Sequence, residues 1–416
     1  MILSWNQVTE TQGSLRQESR TKEFSSCDEG SQTAPPSFST DRAWVEIDET
    51  ALYHNVREIK RLLSPQTSLM AVVKADAYGH GAVKVAKTVL DAGGEALAVA
   101  TLQEGMELRF AQIDAPILIL GVINTIEEVK ALIQWQLEPT LCCCQQADLV
   151  GETLQALGKT LPVHLKLDTG MSRLGVLWEE AVSFVSYVQQ FPELEIKSVY
   201  SHLATADEKD DTFMRLQKER FESAIAQLRT MGFTPPCLHL ANSAATLRDR
   251  SFHYDLVRVG LALYGLFPSP ELASIANLKP VLKVKARITQ IKDLPAGAGV
   301  SYGHQFVAQQ PCRIAVVGIG YADGVPRNLS NRLEVLLQGE KVSQIGAITM
   351  DQLMLDITTC QDVQPGDIVT LIGEEGNNMI TAEHWAQQLG TISWEILCGF
   401  KHRLPRIIKN ETPLSS

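Results

Sequence analysis

Residues 69–81 read LMAVVKADAYGHG, a short apolar run that ends at a lysine and leads into a turn with two glycines. The run 69–73 has the length and continuous apolar character of a strand buried on both faces. Residues 82–92, which come next, carry apolar side chains at helical spacing. A strand, a polar or glycine-containing turn and a helix in this order form the repeating unit of parallel α/β proteins.

The same unit recurs along the chain as far as about residue 269. Helical spacing is also found in residues 179–190 and 211–231. Eight successive strand-helix units predict an α/β fold in which parallel strands close into a (β/α)8 barrel. A doubly wound open sheet is the alternative, but no GxGxxG motif follows the first strand. The eight apolar runs are 69–73, 96–100, 117–120, 138–141, 163–167, 197–200, 237–240 and 256–259.

The hydrophobic periodicity changes at about residue 279. Beyond this point apolar and polar residues alternate, as in 281–288 and 333–337, and turn signals such as Gln-Gly and Pro-Gly separate the runs. This pattern predicts a mainly β domain, with one helix near residues 382–389. The predicted organisation is a variable, disordered tail (residues 1–43), a (β/α)8 barrel (44–275), a mainly β C-terminal domain (276–408) and a short C-terminal tail (409–416).

Composition and charge restrict the partners of the chain. Its 416 residues carry a formal net charge of −11, without a long basic run, so neither nucleic acid nor an anionic membrane is an expected partner. The eight cysteines are irregularly spaced and include no CxxC pair, which favours reduced thiols over disulfides or a metal site. No apolar stretch is long enough to span a bilayer, and the N-terminus lacks a secretory pattern. A cytoplasmic protein is therefore expected.

Polar and charged residues follow the predicted strands. Because the carboxyl ends of barrel strands meet at one rim, this set predicts an active site. Lys74 is its most informative member, since burial at a strand end lowers a lysine pKa and favours the neutral amine that Schiff-base chemistry requires. The alternative is a lysine whose amine reaches solvent. The set comprises Lys74, Thr101, Gly121, Asp168, Arg173, His202, Asn242, Ser243 and Arg258.

The segment AVVKADAYGHG, residues 71–81, resembles the pyridoxal phosphate attachment motif of the bacterial alanine racemases, enzymes of fold type III. The resemblance extends from Trp44 to about Arg406 and includes a series of further motifs in the same order. It implies a pyridoxal-phosphate-dependent racemase that interconverts L- and D-alanine and supplies D-alanine for peptidoglycan. The further motifs are DTGMSRLG (168–175), SHLATA (201–206), HLANSAA (239–245), RVGLALYG (258–265), VSYG (300–303), GYADG (320–324) and GAITMD (346–351).

The resemblance also implies roles for individual residues. Lys74 would hold pyridoxal 5'-phosphate and act as the base that faces the D-enantiomer. Tyr302 would be the opposing base for the L-enantiomer and would reach the barrel of the second subunit of a homodimer. Arg173 and the backbone of Met350 would bind the substrate carboxylate. The remaining cofactor contacts would come from Tyr78, His202, Asn242, Ser243, Arg258, Gly260 and Leu261.

Two of these roles have chemical consequences. An arginine stays charged and only donates hydrogen bonds, so Arg258 would leave the pyridine nitrogen unprotonated, which favours prompt reprotonation over transamination. A structural salt-bridging arginine is the alternative. Racemisation also requires a proton donor or acceptor on each face of the α-carbon. Tyr302, with an ordinary pKa of ~10, would need that value lowered by cationic groups such as Arg258.

The sequence also departs from the family pattern. His402 stands where many relatives have a tyrosine near the phosphate, and Thr349 stands where some have a cysteine. Relatives often carry a carbamylated lysine at the position of Lys166, which would hold Arg173. The alternatives to an alanine racemase are a racemase acting on serine or several amino acids, a fold type III decarboxylase and a non-catalytic pyridoxal phosphate carrier. The large second domain argues against the carrier.

Overall fold

The computed structural model describes residues 41–409. Its first strand, β1 (Ala43–Asp48), is followed by the first helix, α1 (Glu49–Leu62). Asp48 caps this helix by accepting a hydrogen bond from the Ala51 amide at 2.8 Å, the usual function of an aspartate at this position. Most of the predicted N-terminal tail, and all but the first residue of the predicted C-terminal tail, lie outside the described residues.

Eight parallel strands form the barrel. They are β2 (Ser68–Val72), β3 (Ala96–Val99), β4 (Ile117–Ile119), β5 (Glu138–Leu141), β6 (Leu161–Asp168), β8 (Leu194–Tyr200), β9 (Leu238–His239) and β10 (Leu256–Val259), with the short β7 (Val176–Leu177) paired to β6. The pairing order is β10-β2-β3-β4-β5-β6-β8-β9. Between β9 and β10, the Arg258 amide donates to Ala241 O at 3.0 Å and the Asp255 amide donates to Leu238 O at 3.1 Å. The predicted (β/α)8 barrel is confirmed, and each of the eight apolar runs overlaps one of these strands.

Helices follow the barrel strands and cover the outside of the sheet. Polar caps begin two of them: Thr101 with Glu104, and Thr125 with Glu128, form capping boxes. The helices of this part are α2 (Lys74–Gly79), α3 (Ala82–Asp91), α4 (Leu102–Phe110), α5 (Ile126–Trp135), α6 (Cys144–Leu157), α7 (Ala181–Val188), α8 (Thr212–Thr230) and α9 (Ser243–Arg248). Short 3-10 turns are Trp178–Glu180, Arg250–Phe252, Leu261–Tyr264 and Pro270–Leu272.

The second domain is mainly β, as predicted. A nine-stranded sheet has the order β19-β18-β15-β16-β17-β14-β11-β1-β20, and the additional pairing of β18 with β11 folds it back on itself. A separate two-stranded ribbon is formed by β12 and β13. The strands are β11 (Leu282–Leu294), β12 (Gly299–Val300), β13 (Phe306–Val307), β14 (Cys312–Val317), β15 (Glu334–Leu337), β16 (Glu340–Ile345), β17 (Leu353–Asp356), β18 (Ile368–Glu375), β19 (Asn378–Ile380) and β20 (Arg406–Lys409).

Two helices and three 3-10 turns complete this domain. The helix α10 (Ala382–Leu389) lies where the sequence predicted one, and α11 (Ser393–Gly399) follows it. The 3-10 turns are Tyr302–His304, Tyr321–Asp323 and Arg327–Leu329. The second helix was not predicted because it is short and is preceded by the β-branched Thr391 and Ile392.

Strand β1 differs from the sequence interpretation, which assigned residues from 44 onward to the barrel. It pairs antiparallel with β11, with Val45 opposite Val284, and parallel with β20, with Val45 opposite Arg406. Its local sequence, an apolar strand followed by a capped helix, looks like a barrel unit. Only pairing with segments far along the chain places it in the second sheet. The chain therefore enters the barrel from the second domain and returns to that domain after β10.

Candidate active site

A cavity of about 570 Å³ lies at the carboxyl ends of the barrel strands. It brings together most of the predicted barrel residues of the site, as expected when the strands of a barrel end at a common rim. Thr101, which caps α4, and Asp168 are not among the residues that line it. Tyr302 and Met350, which belong to the second domain, are not among the residues that line it. The lining includes Lys74, Tyr78, Lys166, Arg173, His202, Asn242, Ser243, Arg258, Gly260 and Leu261.

Lys74 lies just beyond the end of β2 and its side chain lines the cavity. Burial lowers the pKa of its amine, and the positive charge of Arg173 lowers it further. Lowering the pKa increases the fraction of neutral amine, which is the nucleophilic form. Lys74 is therefore suited to form a covalent bond with a carbonyl compound bound in the cavity.

The turn after Lys74 is left-handed. Residues 75–78 have φ values of 54°, 52°, 52° and 56°, although none is glycine. Such a conformation costs roughly 1–2 kcal/mol per residue, so the surrounding structure must hold it in place. The Ala75 amide donates to Glu104 Oε1 at 2.7 Å, and Asp76 Oδ1 accepts from the Ala82 amide at 2.7 Å. The next residue, Gly79, has φ +83°, and a Cβ there would lie 2.6 Å from Leu397 O, so glycine is required.

This turn places Tyr78 against the loop after β10. A Cβ on Gly260 would lie 2.7 Å from the Tyr78 hydroxyl, so the hydroxyl packs directly on the glycine. The Ser243 hydroxyl accepts from the Gly260 amide at 3.0 Å, and Asn242 caps α9 through the Ala245 amide at 3.0 Å. Burial raises the pKa of Tyr78 to about 12, so its hydroxyl keeps its proton and can donate. Hydroxyl groups and backbone amides are thus concentrated here, as in protein sites that bind phosphate.

Arg258 is buried in the wall of the cavity, with 4% of its surface exposed. Its guanidinium donates to His239 Nδ1 at 2.8 Å, to His202 Nδ1 at 3.3 Å and to Ser201 O at 2.7 Å. The carbonyls of His239 and Leu240 are further acceptors. Burial lowers its pKa to about 10, so the guanidinium remains charged near neutral pH. Arg258 is therefore a rigidly held cationic donor whose hydrogen bonds go to imidazoles and carbonyl groups and whose guanidinium lies over the Tyr200 ring.

The contacts of Arg258 determine the tautomers of both histidines. Burial, reinforced by the charge of Arg258, lowers the pKa of His202 and of His239 well below the usual value, so both imidazoles are neutral. A guanidinium only donates hydrogen bonds, so Nδ1 of each ring must be the acceptor and Nε2 must carry the proton. Each imidazole thus presents an Nε2–H group on the side opposite Arg258.

Lys166 and Arg173 occupy another side of the cavity. Burial lowers the pKa of the Lys166 amine to about 8, and the charge of Arg258 contributes to this shift. The Asp168 carboxylate accepts from the amides of Gly170 and Ser172 at 2.9 and 3.1 Å, which shapes the loop that leads to Arg173. The cavity consequently contains two lysines with lowered pKa values, the half-buried Lys74 and the buried Lys166.

The two predicted site residues of the second domain are exposed. Tyr302, between β12 and β13, exposes 73% of its surface, and Met350 exposes 53%. The Ser301 hydroxyl donates to Ala347 O at 2.7 Å, which links the Tyr302 loop to the segment before Met350. The Met350 carbonyl accepts from the Ala322 amide at 3.0 Å, and this bond fixes the backbone at that residue.

The domains of the chain match two family models. The model of the alanine racemase N-terminal domain matches residues 47–268, and that of the alanine racemase C-terminal domain matches residues 281–408. The chain belongs to the alanine racemase family. The alanine racemase of Synechocystis sp. is 63% identical to it over 367 residues, which cover 88% of this chain and 99% of that protein.

Solved alanine racemases share the fold. The structure from Clostridium difficile has a TM-score of 0.85 at 35% identity and covers 89% of this chain and 97% of that one. The Bacillus anthracis structure, which has bound L-Ala-P, has a TM-score of 0.84 at 37% identity and covers 89% of this chain and 95% of that one. Alanine racemases are pyridoxal-phosphate-dependent isomerases, so the expected cofactor and reaction class are confirmed.

Three residues near the cavity were not singled out in the sequence. Trp394 and Cys398, on α11, line it from the second domain. Tyr264 donates from its hydroxyl to Val72 O at 3.0 Å and stacks on His80, with 4.3 Å between ring centroids. Tyr264 belongs to the recognised RVGLALYG motif, so that motif was a signal for it. No comparable signal marked the other two.

Within residues 41–409 no helix is long and apolar enough to cross a membrane.

Proposed function

We propose that this chain interconverts L-alanine and D-alanine with pyridoxal 5'-phosphate held through Lys74, and that it supplies D-alanine for peptidoglycan. The observation that carries the proposal is the location of a half-buried lysine, whose pKa is lowered, in the same cavity as a buried arginine that contacts no carboxylate within residues 41–409. When bound, the cofactor withdraws electrons from the α-carbon of an attached amino acid and acidifies its proton.

The residues of the cavity fit this cofactor. Because Gly260 has no side chain, the Tyr78 hydroxyl reaches the loop after β10, where hydroxyl and amide groups of Tyr78, Ser243, Gly260 and Leu261 would bind the phosphate. Arg258 would face the pyridine nitrogen as a donor that remains charged. His202 would extend the hydrogen bonding from Arg258, and Asn242 would support Ser243 by capping its helix.

Proton transfer would involve one residue from each domain. Lys74 would exchange the α-proton of the D-enantiomer and Tyr302 that of the L-enantiomer, because racemisation requires a donor on each face. Since Tyr302 is exposed on a loop of the second domain, it would act in the barrel of a second copy, which makes a homodimer part of the proposal. Arg173 and the Met350 amide would hold the substrate carboxylate.

A cytoplasmic location is part of the same proposal. The seven cysteines within residues 41–409 are all free thiols. Free thiols are the usual state of cysteines in a reducing compartment. A racemase that supplies a peptidoglycan precursor would also act where that precursor is assembled from small molecules.

The direct test is incubation of the purified, cofactor-loaded chain with L-alanine in deuterated water. We expect D-alanine to accumulate with deuterium at its α-carbon, as measured by chiral chromatography and mass spectrometry. Serine, tested in parallel, would measure the substrate range. Cofactor binding without exchange of either amino acid would contradict the proposal and favour a carrier.

Lys166 gives a further prediction. Because its amine has a pKa of about 8, a substantial neutral fraction is present at mildly alkaline pH and can add carbon dioxide to form a carbamate. The amine is protonated well below pH 8, so the carbamate is expected to increase as the pH rises through this value in bicarbonate. Native mass spectrometry should show the mass increment of one carbon dioxide, and Lys166→Met should abolish it. An increment that persists in this variant would assign the modification elsewhere.

A further inference from the structure

A continuous chain of side-chain hydrogen bonds crosses the interior of the barrel beneath the cavity. Arg258 Nη1 lies 2.8 Å from His239 Nδ1, and His239 Nε2 lies 2.7 Å from Ser198 Oγ. Ser198 Oγ lies 2.6 Å from His164 Nδ1, and His164 Nε2 lies 2.8 Å from Glu138 Oε2. These five residues lie on β10, β9, β8, β6 and β5, which are successive strands in the barrel. The chain therefore connects the cavity wall to the amino-terminal end of β5.

The hydrogen bonds of this side-chain network all run from donor to acceptor in one direction, from Arg258 towards Glu138. Arg258 only donates, so His239 accepts at Nδ1 and donates from Nε2 to the Ser198 oxygen. The single hydroxyl hydrogen of Ser198 is then donated to His164 Nδ1. The remaining His164 proton is on Nε2 and is donated to Glu138, which as a carboxylate only accepts. Both ends thus specify the same arrangement of protons.

The hydrogen-bond chain lies in the interior of the barrel, so the direction of its bonds affects the groups at its two ends. His239 is fully buried, Ser198 is 1% exposed and His164 is 6% exposed. In such surroundings hydrogen bonds polarise their neighbours, so an anion at one end strengthens the acceptor at the other. Within residues 41–409 the hydrogen bonds of Arg258 go to imidazole nitrogens and carbonyl oxygens, and its guanidinium also lies 5.0 Å from the centre of the Tyr200 ring. Glu138 is the carboxylate that the hydrogen-bond chain connects to it.

We propose that Glu138, His164 and Ser198 are positioning residues that act through His239 on Arg258. Through the bond at Nε2 they stabilise the same His239 tautomer that the guanidinium selects at Nδ1, and they thereby fix the orientation and donor strength of Arg258. This inference rests on the proposed function for its effect on racemisation, because that effect requires Arg258 to face the cofactor. The tautomers themselves are measurable whether or not the chain racemises alanine.

The first measurement is the histidine tautomers of the cofactor-loaded full chain, obtained by NMR with ¹⁵N-labelled histidine. We expect Nδ1 of His164 and His239 to be unprotonated and Nε2 of both to be protonated near neutral pH. Ser198→Ala removes the shared hydroxyl, so the ¹⁵N shifts of both rings should change. A wild-type His239 that is protonated at Nδ1 would overturn the proposal.

Variants of Glu138 separate its charge from its role as an acceptor. Glu138→Gln retains an oxygen that accepts from His164, whereas Glu138→Leu does not, so the leucine variant should show the larger mixture of His164 tautomers. The Glu138 side chain is partly exposed, with 18% accessible, so both variants are expected to fold. Glu195→Gln is the matched control, since Glu195 is the second residue of β8 and contacts Lys197 at the surface.

Kinetics then distinguish a positioning role from a purely structural one. Ser198→Ala is expected to lower kcat about tenfold with little change in KM, because a hydrogen bond in a chain that ends on a charged group is lost. Ser198→Thr, which restores a hydroxyl, should recover both kcat and the ¹⁵N shifts. Unchanged His239 shifts and kcat in Ser198→Ala would overturn the proposal. If the histidine tautomers are as expected but the protein does not racemise alanine, the proposed function is refuted, whereas the assignment of the tautomers stands.

Discussion

Replacing Lys74 with alanine is expected to reduce the rate of racemisation by about 10²–10⁴-fold through the loss of a positioned acid–base group alone. The loss should be larger in practice, because the variant also lacks the amine that binds the cofactor covalently. The measurement is D-alanine formation at saturating pyridoxal phosphate. Because burying an amine is unfavourable, the free energy of unfolding should stay the same or increase in this variant.

Lys166 is the alternative to Lys74 as the residue that binds the cofactor covalently, and the two can be distinguished by experiment. It is a second lysine in the same cavity, and its pKa is lowered to about 8. Borohydride reduction of the loaded wild-type chain, followed by peptide mapping, should place the cofactor on Lys74. Lys166→Met should keep that label, and Lys87→Ala, an exposed lysine on α3, controls for loss of a surface charge. Labelling of Lys166 in the wild-type chain would contradict the assignment.

The barrel could be predicted from sequence because each of its strand-helix units is recognisable from residues that are close together in the sequence. Each strand is a short apolar run followed by a turn and a helix, so the pattern is visible without knowledge of long-range contacts. The first strand illustrates the limit of this reasoning. Its residues 43–48 are as apolar as those of a barrel strand, but they pair with β11 and β20, more than 200 residues away. Local periodicity does not contain this information.

The shape of the site was less predictable than its residues. Residues 75–78 are left-handed although alanine, aspartate and tyrosine favour right-handed conformations, and the neighbouring contacts of Glu104 and Asp76 hold them there. The hydrogen bonds from Arg258 through His239 to Glu138 likewise depend on the order of strands around the barrel. A sequence pattern can identify such residues, but the packing of the strands decides which of them meet.

The exposed position of Tyr302 leads to the second large expected effect. Tyr302→Phe should slow exchange of the L-alanine α-proton about 10²–10⁴-fold, while D-alanine should continue to exchange with solvent through Lys74. Net racemisation must decrease in both directions, so the informative measurement is deuterium uptake by each enantiomer separately. Cofactor binding should be retained, because Lys74 and the residues proposed to hold the phosphate are unchanged in this variant. Equal, mild losses of exchange for both enantiomers would contradict this assignment.

Mixed dimers test where Tyr302 acts. A chain with Lys74→Ala and a chain with Tyr302→Ala are each expected to be inactive alone. If each site combines Lys74 of one subunit with Tyr302 of the other, a mixed dimer contains one complete site and one that lacks both groups. After random mixing in equal amounts half of the dimers are mixed, and each has one complete site out of two, so roughly a quarter of all sites are complete. The total activity should therefore reach roughly a quarter of that of the same amount of wild-type protein. Mixing that is proven by mass spectrometry but restores no activity would place both groups within a single chain, and the exposed Tyr302 loop would then have to fold over its own barrel.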